Sequence, residues 1–141
     1  NTAQYLYNNG VSGGAYIYQT ASYTSDQFYT LSIYAKADAV DKIRLRPATA
    51  TGWTTSGSVI FNLVHGTMTY TAPLTGYGMD HIGNGWYRCY ISMQFGSVSQ
   101  TSTYPVIELY SNPLDGTSGV YLWGAQLEQG SFPTSYITAI A

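Results

Sequence analysis

Trp86, Arg88, Tyr90, Ser92 and Gln94 fall at every second position of the run GNGWYRCYISMQF, residues 83–95. A strand sends successive side chains to opposite faces, so these five share one side and Tyr87, Cys89, Ile91, Met93 and Phe95 share the other. The second set reads as core. The first carries an indole, a guanidinium, a phenol, a hydroxyl and an amide, which stack on or hydrogen-bond a ligand and gain little from burial against a second sheet. Sugar recognition needs this mixture: flat aromatic faces for the C–H side of a pyranose and planar polar groups for its hydroxyls. Tyr34, Arg44, Arg46, Tyr104, Glu108 and Tyr110 extend the set if their strands are neighbours of this one. A trough so furnished favours acidic polysaccharide. Every Lys and Arg falls on the outward side of an expected strand, a placement that solubility alone also explains.

Catalytic chemistry has few candidates. Among seven carboxylates, Glu108 and Glu128 are the best pair for glycoside hydrolysis because both lie on late strands. The E-x-D-x-x-E pattern of jelly-roll glucanases, a nucleophile elbow and a phosphate loop are all absent from the sequence. A non-enzymatic role is therefore expected, with a polysaccharide-degrading enzyme built on Glu108 and Glu128 ranked third. His65 and His81 sit in turn-like surroundings without the i, i+2 or i, i+4 companions of a zinc site. Asn112 and Asp115 in SNPLDGTSG offer a weak calcium site, against the simpler reading of an Asp-Gly turn, and no other cofactor is expected. Cys89, the single cysteine, rules out an intrachain disulfide and reads as a structural thiol.

The elements that must position these residues are strands. Expected strands cover AQYLY, Ala15 to Thr20, Phe28 to Ala37, KIRLRP, Ser58 to Leu63, Thr67 to Thr71, Gly83 to Phe95, YPVIELY and Gly119 to Glu128. APLTGYGMDHI reads as loop with a short edge strand. In the last strand Tyr121, Trp123, Ala125 and Leu127 are expected inward, with Leu122, Gly124, Gln126 and Glu128 facing away. ATATGWTTSG is a loop whose Trp53 is either a lid on the core or a ligand platform. These strands, with turn signals every eight to twelve residues and no helical period, predict an all-β antiparallel β-sandwich, most simply a jelly roll, with a closed barrel as the alternative.

Composition agrees. Only 9% of the 141 residues are charged while 15 are Tyr, so solubility rests on hydroxyls, amides and glycine, and the helix formers Lys, Glu and Leu are scarce. The length fits one domain. A net charge of −2 argues against nucleic acid, and although single-stranded nucleic acid suits an aromatic, basic face, five cations offset few phosphates. No run of 18 apolar residues would insert in a membrane. Asn1 in place of an initiating Met suggests a fragment or processed chain.

YTLSIYAKA, SVIFNLVHGT, IGNGWYRCYISMQF and VYLWGAQLEQGSFPTSYI, in that order, resemble the carbohydrate-binding, concanavalin-like jelly-roll domain of bacteriophage tail fibres, tailspikes and related virion proteins. GNGWYR at 83–88 and WGAQLE at 123–128 followed by SYI at 135–137 carry most of the likeness. It covers about Phe28 to Ile137; residues 1–14 fall outside it and read as edge or linker. The resemblance implies a non-catalytic glycan-binding domain on a virion or otherwise extracellular, attaching to host cell-surface polysaccharide, often within a homotrimeric fibre. A structural decoration or trimerisation domain is the alternative. It also implies that Trp86 and Arg88 can be architectural, Trp86 covering a sandwich end and Arg88 pairing with Glu108 or Glu128. The loops carrying Trp53, Tyr77 and SNPLDGTSG are then the other candidate site.

Overall fold

The computed structural model describes residues 3–8, 15–18, 22–47, 53, 57–96, 105–110 and 115–134. Ten strands run through them: β1 (Gln4–Tyr7), β2 (Tyr16–Tyr18), β3 (Phe28–Ala37), β4 (Lys42–Pro47), β5 (Ser58–Asn62), β6 (Thr67–Thr71), β7 (Gly76–Gly83), β8 (Trp86–Gln94), β9 (Pro105–Leu109) and β10 (Gly119–Gln129). They form two antiparallel five-stranded sheets, sheet A in the order β1-β10-β3-β8-β7 and sheet B in the order β2-β9-β4-β5-β6. First strands pair with last ones in a nested way, β1 with β10, β2 with β9 and β3 with β8, which is the jelly-roll wrapping. The expected β-sandwich is therefore the fold. Gly76 to Gly83 is a full eight-residue strand where a loop with a short edge strand was expected, and it places His81 in β7 rather than in a turn.

Period-two patterning builds the core. Leu31, Ile33 and Ala35 of β3 and Cys89, Ile91 and Met93 of β8 face Ile43 and Leu45 of β4, Val59 and Phe61 of β5 and Ile107 and Leu109 of β9. Each such side chain contributes about 1.5–3 kcal/mol on leaving water. Cys89 is fully buried there, and burial pushes its thiol well above the ordinary range, as a structural thiol requires. A second cluster of Tyr23, Tyr29 and Phe95 closes one end of the sandwich.

β10 departs from the expected alternation. Tyr121 lies opposite Lys36 and Trp123 opposite Tyr34, both on the outer face, while Val120 and Leu122 point into the core. Between Trp123 and Gln126 the register shifts: β3 advances two residues, from Tyr34 to Ser32, while β10 advances three. One extra residue in a strand reverses its facing, so Leu127 returns to the core and Gln126 and Glu128 stay outside. Gly124, at φ 66°, supplies the left-handed backbone of this bulge. Thus Tyr121 and Trp123 are outward where the simple alternation put them inward, and Leu122 is inward where it was placed outside.

Beyond β10 the chain folds back over the outer face of sheet A. The buried hydroxyls of Thr30 and Ser92 lie 2.9 Å apart, with the Gly130 carbonyl 2.8 Å from Thr30 Oγ1 and the Ser131 carbonyl 2.6 Å from Ser92 Oγ. Two hydroxyl protons serve these three contacts. Replacing Ser92 by Ala removes one proton and leaves a carbonyl less well satisfied, so stability should fall by about 1 kcal/mol. Thermal unfolding should then move down by about 3 °C. An unchanged midpoint would mean that solvent already satisfies Ser131.

Candidate functional site

The polar side chains of the long strand sit on the outer face of sheet A, in cross-strand rows set by the register. One row runs Tyr5–Tyr121–Lys36–Trp86, the next Trp123–Tyr34–Arg88–Asp80, and a third Gln126–Ser32–Tyr90–Gly78. Trp86, Arg88, Tyr90 and Tyr34 are thus brought together, as the alternation predicts, and Trp123 joins them only because of the bulge. The groups largely satisfy one another. Trp123 stacks on Tyr34 with ring centroids 4.5 Å apart and 11° between planes, and Arg88 lies over Tyr34 with Cζ 5.4 Å from its centroid. Arg88 Nη2 donates to Ser32 at 3.2 Å, and its Nε is buried without an acceptor among the described residues. A ligand cannot reach that nitrogen unless the side chain moves. The Tyr90 ring lies against the backbone of Gly78, where a Cβ would approach it to 2.4 Å. Ring faces that the protein itself covers are scaffold rather than platform. Gln94 stands at the far end of this face, opposite Phe28, with its amide 3.5 Å from the Asp26 carbonyl.

Arg44, Arg46, Glu108 and Tyr110 belong to the opposite, outer face of sheet B, because β4 and β9 pair with each other and not with β8. The single trough that these residues were expected to form with Trp86 and Arg88 is therefore two faces, divided by the core. Glu108 accepts from Arg44 Nε at 2.5 Å and from Arg46 Nε at 2.8 Å, both on Oε1. Partial burial works to raise the Glu108 pKa, but hydrogen bonds and positive charge from Arg46 and Arg44 outweigh it and hold the carboxyl below its usual range. Around this cluster the rings stand open. Tyr110 is 47% exposed with Arg44 Cζ 5.8 Å from its centroid, and Tyr16, opposite Glu108 across β2, is 48% exposed and stacks on Tyr18 at 5.9 Å. The sequence reasoning missed Tyr16 and Tyr18. The alternation of YIY was visible, but not that β2 would pair with β9.

Glu108 is not the partner of Arg88, since the two are on opposite faces; Glu128 shares the face of Arg88. That division also separates the proposed acid–base pair. Packed sheets lie about 10 Å apart and these side chains point away from each other, which is too far for the roughly 5–9.5 Å that two hydrolytic carboxyls need. Glu128 is instead held by the Gln126 amide at 2.6 Å and the Thr134 hydroxyl at 2.7 Å.

Trp53 bridges to Phe95 and meets Tyr23, Tyr29 and Phe95 edge-on at 5.0, 6.3 and 5.1 Å, so it is a lid on the core end. Under that lid, burial pushes the Tyr23 phenol up to about 12. Tyr77 is not in a loop. It lies on β7 opposite Ile91, half-buried against the core, and its ring packs on Tyr70 at 5.0 Å. Asp115 closes an Asp-Gly turn: its carboxylate accepts from the Thr117 amide at 2.9 Å, the Ser118 amide at 2.8 Å and the Ser118 hydroxyl. The Ser118 hydroxyl and these amides hold its pKa down to about 2. Asn112 and Tyr104 lie outside the described residues, and among those described no three His, Cys, Asp or Glu side chains gather as a metal site.

No family model matches the chain, and no curated protein matches it.

Proposed function

We propose that this domain is a non-catalytic glycan-binding module of a tail fibre, tailspike or other virion protein, attaching to polysaccharide of a host surface. One observation carries the binding reading: exposed Tyr110 and Tyr16 rings stand beside a guanidinium pair that Glu108 holds in place, on the open face of a rigid sheet. Aromatic faces and pre-positioned planar donors on a scaffold that need not reorganise bind sugars at low entropic cost. The virion setting rests on the order of GNGWYR and WGAQLE in the chain. An array of bacterial and plant polysaccharides tests the reading. Tyr110→Ala should weaken the best ligand about tenfold with thermal stability unchanged, whereas Trp86→Ala, on the opposite face, should leave affinity within about twofold. Binding lost with Trp86 and kept without Tyr110 would move the site to sheet A.

A second reading, assembly, is favoured by the edge strands. Tyr7 on β1 and Tyr16, Ile17 and Tyr18 on β2 are all at least 39% exposed, so each of these two edge strands carries apolar surface suited to subunit contact. Sedimentation decides: a monomer at micromolar concentration supports the glycan module, and an obligate trimer that buries these residues supports assembly.

A further inference from the structure

Charge is divided unequally over this molecule. Lys42, Arg44 and Arg46 on sheet B face only Glu108 and the neighbouring Asp41, three cations against two carboxylates. Everywhere else Lys36 and Arg88 stand against Asp26, Asp38, Asp80, Asp115 and Glu128, two against five. The outer face of sheet B is thus the positive side of a chain whose net charge is −2.

The two arginines are not equivalent within it. Arg46 is fully engaged: Nε and Nη2 reach the two Glu108 oxygens at 2.8 and 3.4 Å, and Nη1 lies 3.3 Å from the Pro47 carbonyl. It positions Glu108. Arg44 gives Glu108 its Nε alone, and its two terminal nitrogens have no acceptor among the described residues, although its side chain is 35% exposed. A guanidinium fixed by Nε presents Nη1 and Nη2 as a parallel pair of donors, the geometry that takes both oxygens of a carboxylate or sulfate group. The half-exposed Tyr110 ring beside it offers a face for the sugar that bears that group.

We infer that this face selects acidic saccharides, with Arg44 as the end-on anchor for a uronate carboxylate or sulfate ester and Tyr110 as the stacking surface. The inference rests on the glycan-binding reading and names its ligand class. Only non-covalent contacts are involved, so no bond is made or broken.

The test is calorimetric titration of the full chain with oligogalacturonate, alginate and hyaluronate oligosaccharides, their carboxyl-methylated or carboxyl-reduced counterparts, chondroitin sulfate, neutral dextran oligosaccharides and a single-stranded oligonucleotide. At least one carboxylated or sulfated ligand should bind, and removing its charge should weaken it at least tenfold. Carboxylated ligands binding without sulfated ones, or the reverse, identifies the source of the anion. Arg44→Gln should weaken the acidic ligand about twentyfold and Arg44→Lys about fivefold, since lysine keeps the charge but loses the paired donors. Thermal unfolding of both variants checks that they fold. Equal affinity for charged and neutralised forms, or no effect of Arg44→Gln in a folded variant, overturns the inference and leaves the glycan reading standing. An oligonucleotide bound as tightly as the best saccharide, with the same dependence on Arg44, also overturns it in favour of general anion attraction. Binding to no saccharide at all defeats the glycan reading itself.

Discussion

A chain lacking both Gly124 and Ala125 should fail to reach the native state at 25 °C, because those two residues set which way the second half of β10 faces. Without them β10 advances one residue where β3 advances two, so the two halves of the strand fall out of phase, whereas loss of Ala125 alone would leave every facing as it is. If the Val120 and Leu122 half keeps its place, Leu127 turns to solvent and Gln126 and Glu128 turn to the core. Losing the burial of Leu127 costs about 2 kcal/mol, and each misplaced polar side chain adds about 1–3 kcal/mol. The sum, about 5 kcal/mol, equals the lower end of the whole stability of an ordinary domain. If the second half keeps its place instead, Tyr121 and Trp123 must enter a core already filled by Val120 and Leu122. Circular dichroism and urea unfolding measure the outcome. A deletion variant with the wild-type midpoint would show that the bulge carries no register information. Gly124→Ala, which strains the same bulge without shifting register, should cost only about 1 kcal/mol.

Glu108→Gln should lower stability at neutral pH by about 2 kcal/mol, or roughly 5 °C in the unfolding midpoint. The substitution keeps shape and removes the one charge that both Arg44 and Arg46 use, leaving two guanidiniums whose Nε atoms lie 2.5 and 2.8 Å from the same Glu108 oxygen with no counter-ion between them. The full cost of an orphaned buried pair, about 3–5 kcal/mol, does not apply, because the two arginines are 35% and 24% exposed and water screens them. Acid should produce the same loss in the wild type. The folded Glu108 pKa lies below its ordinary value, so the stabilisation is complete above about pH 4.3 and disappears as pH falls through the lower folded value. The gap between wild type and Glu108→Gln should therefore be flat from pH 7 to about 5 and close below that. A gap that widened on acidification would contradict the assigned direction.

Both changes act on what fixes the outer faces of the two sheets. Sheet A is bound to itself through the Trp123–Tyr34–Arg88 stack and the Thr30–Ser92 hydroxyls beneath the returning chain. Sheet B holds two arginines on one carboxylate and leaves tyrosine rings open. Self-satisfied groups stabilise, whereas groups with spare donors and uncovered faces can exchange partners with a ligand.

Much of the fold was legible because its signal is local. Alternation at 28–37, 42–47 and 86–94 assigned inward residues such as Ile33, Leu45 and Ile91, and all are buried. Face membership within a strand needs no knowledge of the partner. The β7 strand was harder to see, since Gly76 and Gly78 read as turn residues; in the sandwich Gly78 serves to admit the Tyr90 ring.

By itself, then, the sequence determined the all-β class, the inward and outward sides of β3, β4, β8 and β9, and the residue types available for binding. Tertiary structure alone decided which outward sides are neighbours. Strand pairing joins residues far apart in the chain, such as Arg44 with Glu108, through backbone hydrogen bonds that every residue type makes alike, so no local pattern records it. The bulge at Gly124 escaped for a related reason: one added residue leaves composition untouched and reverses the facing of all that follows. That is why a single set of aromatic and basic residues in the sequence became a closed scaffold on one sheet and an open, positively charged face on the other.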